Sequence, residues 1–210
     1  MRTTYLKKTV ALIPAVLLLG AGIAFCTSAG LGADTHTSFM QGIGRQINQS
    51  AGTMTMVFNI IILIPYLFLK KSYIGPGSLL IGFCLGPVIN LFEGILLPPF
   101  SAASLPIKII LDILGNLLIA LALSLYIPMN VGLQPLDMLK KTIAKVTGMT
   151  FGNATILYSA LTLLGTVVFR GDIGIGSIIS LVLCGKFCDL FLPHTEKLIQ
   201  RIFKETSSQA

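Results

Sequence analysis

Charge is scarce in this chain. Asp, Glu, Lys and Arg together make up 11% of the 210 residues, about half the share usual in a soluble domain. The net charge of +7 does not mark a nucleic-acid surface, because the basic residues fall between apolar runs and no aromatic-basic platform accompanies them. Cysteine chemistry is excluded on similar grounds. Cys26, Cys84, Cys184 and Cys188 all lie inside apolar stretches and form no CxxC pair, so they read as small apolar residues rather than as disulfides or metal ligands. His36 and His194 have no metal-ligand partners at useful spacing, and the GxSxG, HExxH and paired-acid patterns are absent. These absences argue against an enzyme, and no cofactor is implied.

What the chain has is apolar length. Hydrophobic residues make up 54% and the mean hydropathy is +0.87. Six stretches, 9–29, 52–69, 75–97, 107–127, 152–170 and 173–193, approach or exceed the about 20 helical residues that cross a hydrocarbon core. The second and fifth are the shortest, which leaves five spans with a re-entrant segment as a variant. Lys7 and Lys8 precede the first run as in a signal peptide, but no clean small-x-small site follows and Phe25 spoils a lipoprotein box before Cys26. The first run is therefore read as a retained span.

The chain also repeats itself. Residues 30–92 and 130–191 align at an offset of 100: Gly32 with Gly132, Ile43 with Ile143, Gly52 with Gly152, Thr55 with Thr155 and Leu63 with Leu163. After a one-residue gap, Gly75-Pro76-Gly77-Ser78 matches Gly174-Ile175-Gly176-Ser177, Gly86 matches Gly185, and Asn90-Leu91-Phe92 matches Asp189-Leu190-Phe191. Duplicated membrane units commonly build a pathway around a site between them. The expected organisation is a first three-helix repeat over 1–103, a second over 104–195 and a short tail over 196–210.

Orientation follows from the positive residues. With the N-terminus inside, the cytoplasmic segments hold Arg2, Lys7, Lys8, Lys70, Lys71, Lys140, Lys141, Lys145, Lys197, Arg201 and Lys204, against Arg45, Lys108 and Arg170 outside. That bias places both termini in the cytoplasm. Three spans per repeat then turn the second copy upside down relative to the first.

Between the first two spans of each copy lies a short polar helix. Pro135 and Asp137 open the second-copy helix, Leu136, Leu139, Ile143 and Val146 form its apolar face, and Lys140, Lys141 and Lys145 occupy the rest. Gly32, Asp34, Thr35 and His36 open its counterpart. Each helix either lies flat on the interface or tucks between spans with its N-terminus facing a cavity. Gly32, Asp34, Gly132, Pro135 and Asp137 are the candidate gating turns. The two Gly-x-Gly-Ser turns lack a P-loop ending and read as helix starts, and Gly86 and Gly185 as close-packing positions.

Ionisable groups inside spans cost about 2.5–3.5 kcal/mol each on insertion scales, so they are the candidates for substrate contact or coupling. They are Glu93 on the third span, Asp112 on the fourth, and Lys186 and Asp189 on the sixth, with Asn90 as the repeat-mate of Asp189. Lys108, Asp112 and Asn116 form one stripe at i, i+4 and i+8. The bland alternative is a pair of internal ion pairs, Lys186 with Asp189 and Lys108 with Asp112. Tyr158, Asn153 and Asn59 read as ordinary interhelical hydrogen-bonding residues.

Several of these motifs resemble one family. Gly132-Leu133-Gln134-Pro135-Leu136-Asp137, Thr147-Gly148-Met149-Thr150-Phe151-Gly152, Gly174-Ile175-Gly176-Ser177 and Asp189-Leu190-Phe191-Leu192 are similar to the YczE branch of the YczE/YyaS/YitT bacterial membrane proteins. The first copy carries Gly32-Ala33-Asp34-Thr35-His36-Thr37 and Phe39-Met40-Gln41-Gly42, with Thr35 where proline is usual. The resemblance implies a multi-pass protein of the bacterial plasma membrane, and some relatives are proposed transporters. The expectation is an all-α membrane protein of six spans in two inverted repeats that moves a small solute. Its environment is the lipid bilayer, its solute is unidentified, and a homo-oligomer or membrane partner fits the same reading. The alternatives are the substrate-binding subunit of a vitamin-uptake complex and an accessory or regulatory membrane protein.

Overall fold

A computed structural model describes residues 7–32, 34–69, 73–100 and 102–208. Arg2, Lys70 and Lys71, used above for orientation, lie outside the described residues, as does the Lys204 side chain. All regular structure among the described residues is helical. The helices are α1 (Leu12–Ala29), α2 (Thr35–Gln46), α3 (Ala51–Leu69), α4 (Pro76–Phe100), α5 (Leu105–Tyr126), α6 (Pro135–Thr147), α7 (Phe151–Val168) and α8 (Ile175–Ser208), with a 3-10 turn at Ile127–Met129. Six of them, all but α2 and α6, are long and apolar enough to cross a membrane. The protein is a multi-pass membrane protein.

The central pair is α1 and α5, the first spans of the two halves. They pack along each other, with α4 laid on α1 and α8 on α5. Small residues bring the two central backbones together: a methyl group built on Gly115 would sit 2.7 Å from the Gly22 carbonyl oxygen. Close approach at glycine is how apolar helices gain contact where lipid supplies no hydrophobic drive between them. The core around this pair holds Leu12, Val16, Leu19, Ile119, Leu123 and Tyr126. The outer surfaces of α3 and α4 expose Phe68 and Phe83, as expected where the neighbour is lipid.

The short helices are not surface straps. The first turn of α6 is buried through Pro135, Leu136, Asp137 and Met138, and only its C-terminal end, with Lys145 and Val146, is exposed. Helix α2 buries Thr35, His36, Ser38 and Met40. Each short helix lies against both α3 and α7. Both therefore start inside the protein, and the tucked arrangement replaces the flat one. Segment 196–208, set apart above as a tail, continues α8 beyond Pro193.

Two glycine turns dock on distant helix starts by the same kind of contact. Gly32 lies against the start of α8, where an added methyl group would be 2.6 Å from the Gly174 nitrogen and 2.7 Å from Ser177 Oγ. Gly132 lies against the start of α4, 2.6 Å from the Gly75 nitrogen and 2.7 Å from Ser78 Oγ by the same construction. The backbone repeats the contact, since the Gly176 amide donates to the Leu31 carbonyl and the Gly77 amide to the Val131 carbonyl, both at 2.9 Å. Gly32 and Gly132 adopt φ of +98° and +112°, a region in which a side chain is strained.

Candidate functional site: a cavity between the two short helices

The starts of α2 and α6 meet at a central cavity of about 100 Å³. Much of its lining comes in pairs from the two halves at the offset of the sequence repeat: Leu19 with Ile119, Ile23 with Leu123, Asp34 with Gln134, and Thr55 with Thr155. Leu85 and Cys184 pair after the one-residue gap. An apolar wall with a few converging polar groups is the usual build of a small-molecule site.

One end of the polar lining is fixed by caps. Asp34 is the N-cap of α2, and its carboxylate accepts from the His36 and Thr37 amides. Such a cap satisfies amide groups that the first helical turn leaves free. His36 Nδ1 shares a 2.9 Å hydrogen bond with the Tyr158 hydroxyl, and its ring rests 5.4 Å from that of Phe58. Its Nε2 is buried with no partner among the described residues.

The α6 end is held differently. Asp137 accepts from the Tyr126 hydroxyl and from Lys140 Nζ at 3.1 Å. Both residues of the ion pair are buried, and the ammonium also sits 5.6 Å from the Tyr158 ring centre, within cation-π range. Lys140 was grouped above with the exposed lysines of its segment. It is instead 8% exposed, because the i, i+3 spacing from Asp137 turns it into the interior.

Asp112 and Asn116 are fully buried on α5. Asn116 Nδ2 donates to Ser180 Oγ and to the Asp112 carbonyl, both at 2.9 Å, while its Oδ1 has no partner among the described residues. Asn116 and Ser180 line the cavity. Asp112 does not, and neither of its carboxylate oxygens has a hydrogen-bond partner among the described residues. They point toward the start of α8, where a methyl group on Gly176 would be 3.2 Å from Oδ1. Positive helix-start dipoles favour a carboxylate there.

The alternative of an ion pair within one helix, Lys186 with Asp189 or Lys108 with Asp112, does not form among the described residues. Lys108 turns toward Gly30 rather than to Asp112. Lys186 is exposed, and Asp189 turns away from it to accept from the Gly152 amide at 2.9 Å and from Thr150 Oγ1 at 2.7 Å. Glu93 is half-buried and Asn90 exposed, and neither lines the cavity. The candidates thus separate. Asp34 and Asp137 line the cavity, whereas Gly32, Gly132, Pro135, Asp112, Glu93, Asn90, Lys186 and Asp189 do not. Sequence reading did not assign Gln134, Ser180 or Tyr126 to a site, and gave His36 no role beyond opening its helix; Ser180 meets Asn116 from 64 positions away and His36 meets Tyr158 from 122.

At the far end of α2 from the cavity, Arg45 pairs with Asp172 in the α7–α8 connection, with an Nη1–Oδ1 distance of 2.8 Å. The Asp172 carboxylate holds the guanidinium pKa above its ordinary value.

The family of unknown function DUF6198 matches residues 6–193. The chain belongs to that family. Among curated proteins it is similar to the uncharacterized protein YyaS of Bacillus subtilis (strain 168), with 26% identity over 182 residues, covering 87% of this chain and 90% of the relative. No solved structure matches. The wider YyaS-like grouping is thereby supported, and the relative carries no stated activity.

Proposed function

We propose that this protein transports a small solute across the bacterial plasma membrane, with the site in the central cavity between two inverted three-helix halves, 1–103 and 104–195. The observation that carries the reading is the cavity lining, in which Asp34 and Gln134, Thr55 and Thr155, and Leu19 and Ile119 face one space from equivalent places. A site on the axis of an inverted repeat can be reached from either face as the halves rock. The reciprocal seating of Gly32 and Gly132 against the opposite half supports the same architecture. Both termini are placed in the cytoplasm by the lysine and arginine distribution, and the motif pattern favours the YczE branch.

In this reading Asn116 and His36 offer the solute their free Oδ1 and Nε2. Asp112 is the candidate for coupling, since a buried carboxylate without a partner has no structural pair to serve. The test is uptake by protein reconstituted in liposomes, screened against a panel of labelled metabolites. Uptake of at least one solute, lost in Asn116→Leu at unchanged folded yield, is expected. Uptake indifferent to every cavity substitution would remove the site.

A further inference from the structure

The two halves carry matching residues but hold their last two helices differently. In the second half α7 and α8 are clasped at Gly152 and Gly185. A methyl group on Gly185 would come within 2.5 Å of the Gly152 carbonyl oxygen, and one on Gly152 would collide with the Asp189 carboxylate. Asp189 completes the clasp by accepting from the Gly152 amide and the Thr150 hydroxyl.

In the first half the same parts stand apart. Among the described residues, Gly86, the mate of Gly185, has nothing within 4 Å of an added methyl group, and Gly52, the mate of Gly152, meets only Ser50 of its own segment. Ser50 still caps its helix, accepting from the Thr53 amide at 3.1 Å, as Thr150 does from the Asn153 amide at 3.1 Å. Asn90, the mate of Asp189, is exposed and has no partner among the described residues. Its side-chain oxygen can accept from the Gly52 amide as Asp189 Oδ1 does from Gly152, and its amide nitrogen can donate to the Ser50 hydroxyl oxygen. The gap between α3 and α4 adjoins the cavity, which Thr55, Leu85 and Ile89 line from these two helices.

We infer that the protein has a second state in which the clasps exchange: α4 closes on α3 through Gly86, Gly52 and Asn90, while α8 releases α7 at Gly185, Gly152 and Asp189. The two short helices link the events, because each packs on both α3 and α7. Closing one pair and opening the other moves access to the cavity from the face bearing the start of α3 to the face bearing the start of α7. The inference rests on the two-halves reading of the proposed function but makes its own claim about shape.

The experiment measures a distance by pulsed electron paramagnetic resonance in lipid nanodiscs. Spin labels go on natural Cys84 of α4 and on Thr53→Cys of α3, both exposed, with the other three cysteines replaced by alanine. Gly152→Leu wedges the closed clasp open, and Thr150→Val with Asp189→Leu unties it without adding bulk, so that a folded variant is at hand if the first is unstable. Either variant is expected to shift the 53–84 distribution to a shorter distance. Adding Gly86→Leu, which fits the observed arrangement, is expected to abolish the shift. An unchanged 53–84 distance in the folded variants, or a shift that survives Gly86→Leu, overturns the inference. Liposome uptake read beside it separates the two claims. Exchange without uptake counts against transport alone, and uptake without exchange counts against the clasp mechanism alone.

Discussion

Asp189 is bound to the start of the neighbouring helix and not to Lys186 on its own: its Oδ1 accepts from the Gly152 amide at 2.9 Å. One carboxylate thus ends the first turn of α7 and ties it to α8.

The consequence for mutation is asymmetric. Lys186→Met should leave stability within about 0.5 kcal/mol of the original, as for most exposed substitutions. Asp189→Leu should lower it by about 1–3 kcal/mol, since the Gly152 amide and Thr150 hydroxyl lose a charged acceptor. The double substitution should behave like Asp189→Leu alone. Denaturant titration in detergent reads all three, and rescue by Lys186→Met would show that an ion pair had been missed.

Backbone strain and contact can be separated at two glycines of the second half. Gly132 and Gly148 have φ of +112° and +70°, but only Gly132 touches the opposite half. Gly148→Ala should cost about 1–2 kcal/mol, the penalty for a left-handed alanine. Gly132→Ala adds a collision with the Gly75 backbone and should sharply reduce folded yield. Equal melting temperatures for the two variants would show that the turn relaxes freely.

Cysteine labelling checks the orientation. With other cysteines removed, Asn48→Cys should react with an impermeant reagent added outside intact cells, and Lys145→Cys only after permeabilisation. Both positions are exposed on the protein, so access depends on the face. Equal outside labelling would reject the inverted arrangement.

The exposed pair Arg45–Asp172 should matter little to stability at moderate salt. Both side chains are over half exposed, at 56% and 54%, and such pairs contribute about 0–1 kcal/mol. Arg45→Gln is expected to lower the melting temperature slightly at low salt, with the difference vanishing above about 0.5 M salt as screening shortens the Debye length. A large, salt-independent loss would assign Arg45 a different role.

The spans and turns were legible because apolar length and glycine spacing are local signals. Gly32 and Gly132 declared themselves through the repeat, and Asp112 and Asn116 through their i, i+4 spacing on an apolar helix. What stayed hidden depends on which distant segment arrives beside a residue. His36 meets Tyr158 across 122 positions, and nothing local marks that meeting. Asp189 could be weighed from sequence only against its neighbour Lys186, whereas its side chain is turned toward α7. Lys140 is buried although it shares its helix with the more open Lys141 and Lys145. The nearby Asp137 was the available clue, since a buried lysine requires a partner.

The Asp137–Lys140 pair gives the sharpest test of the cavity. Removing one member of a buried pair leaves an uncompensated charge, typically costing about 3–5 kcal/mol, while replacing both with apolar residues is often nearly neutral. Lys140→Met and Asp137→Leu should therefore each depress folded yield, and the double substitution should recover it. Tyr126→Phe removes one hydrogen bond to Asp137 and should be milder, by about 1 kcal/mol up to the 1.5–3 of a bond to a charged acceptor. Recovery of folding separates the two roles of the pair. If Asp137 and Lys140 only hold α6 in place, the double variant regains uptake along with yield. If they contact the solute, yield returns while uptake stays low, as the proposed site requires.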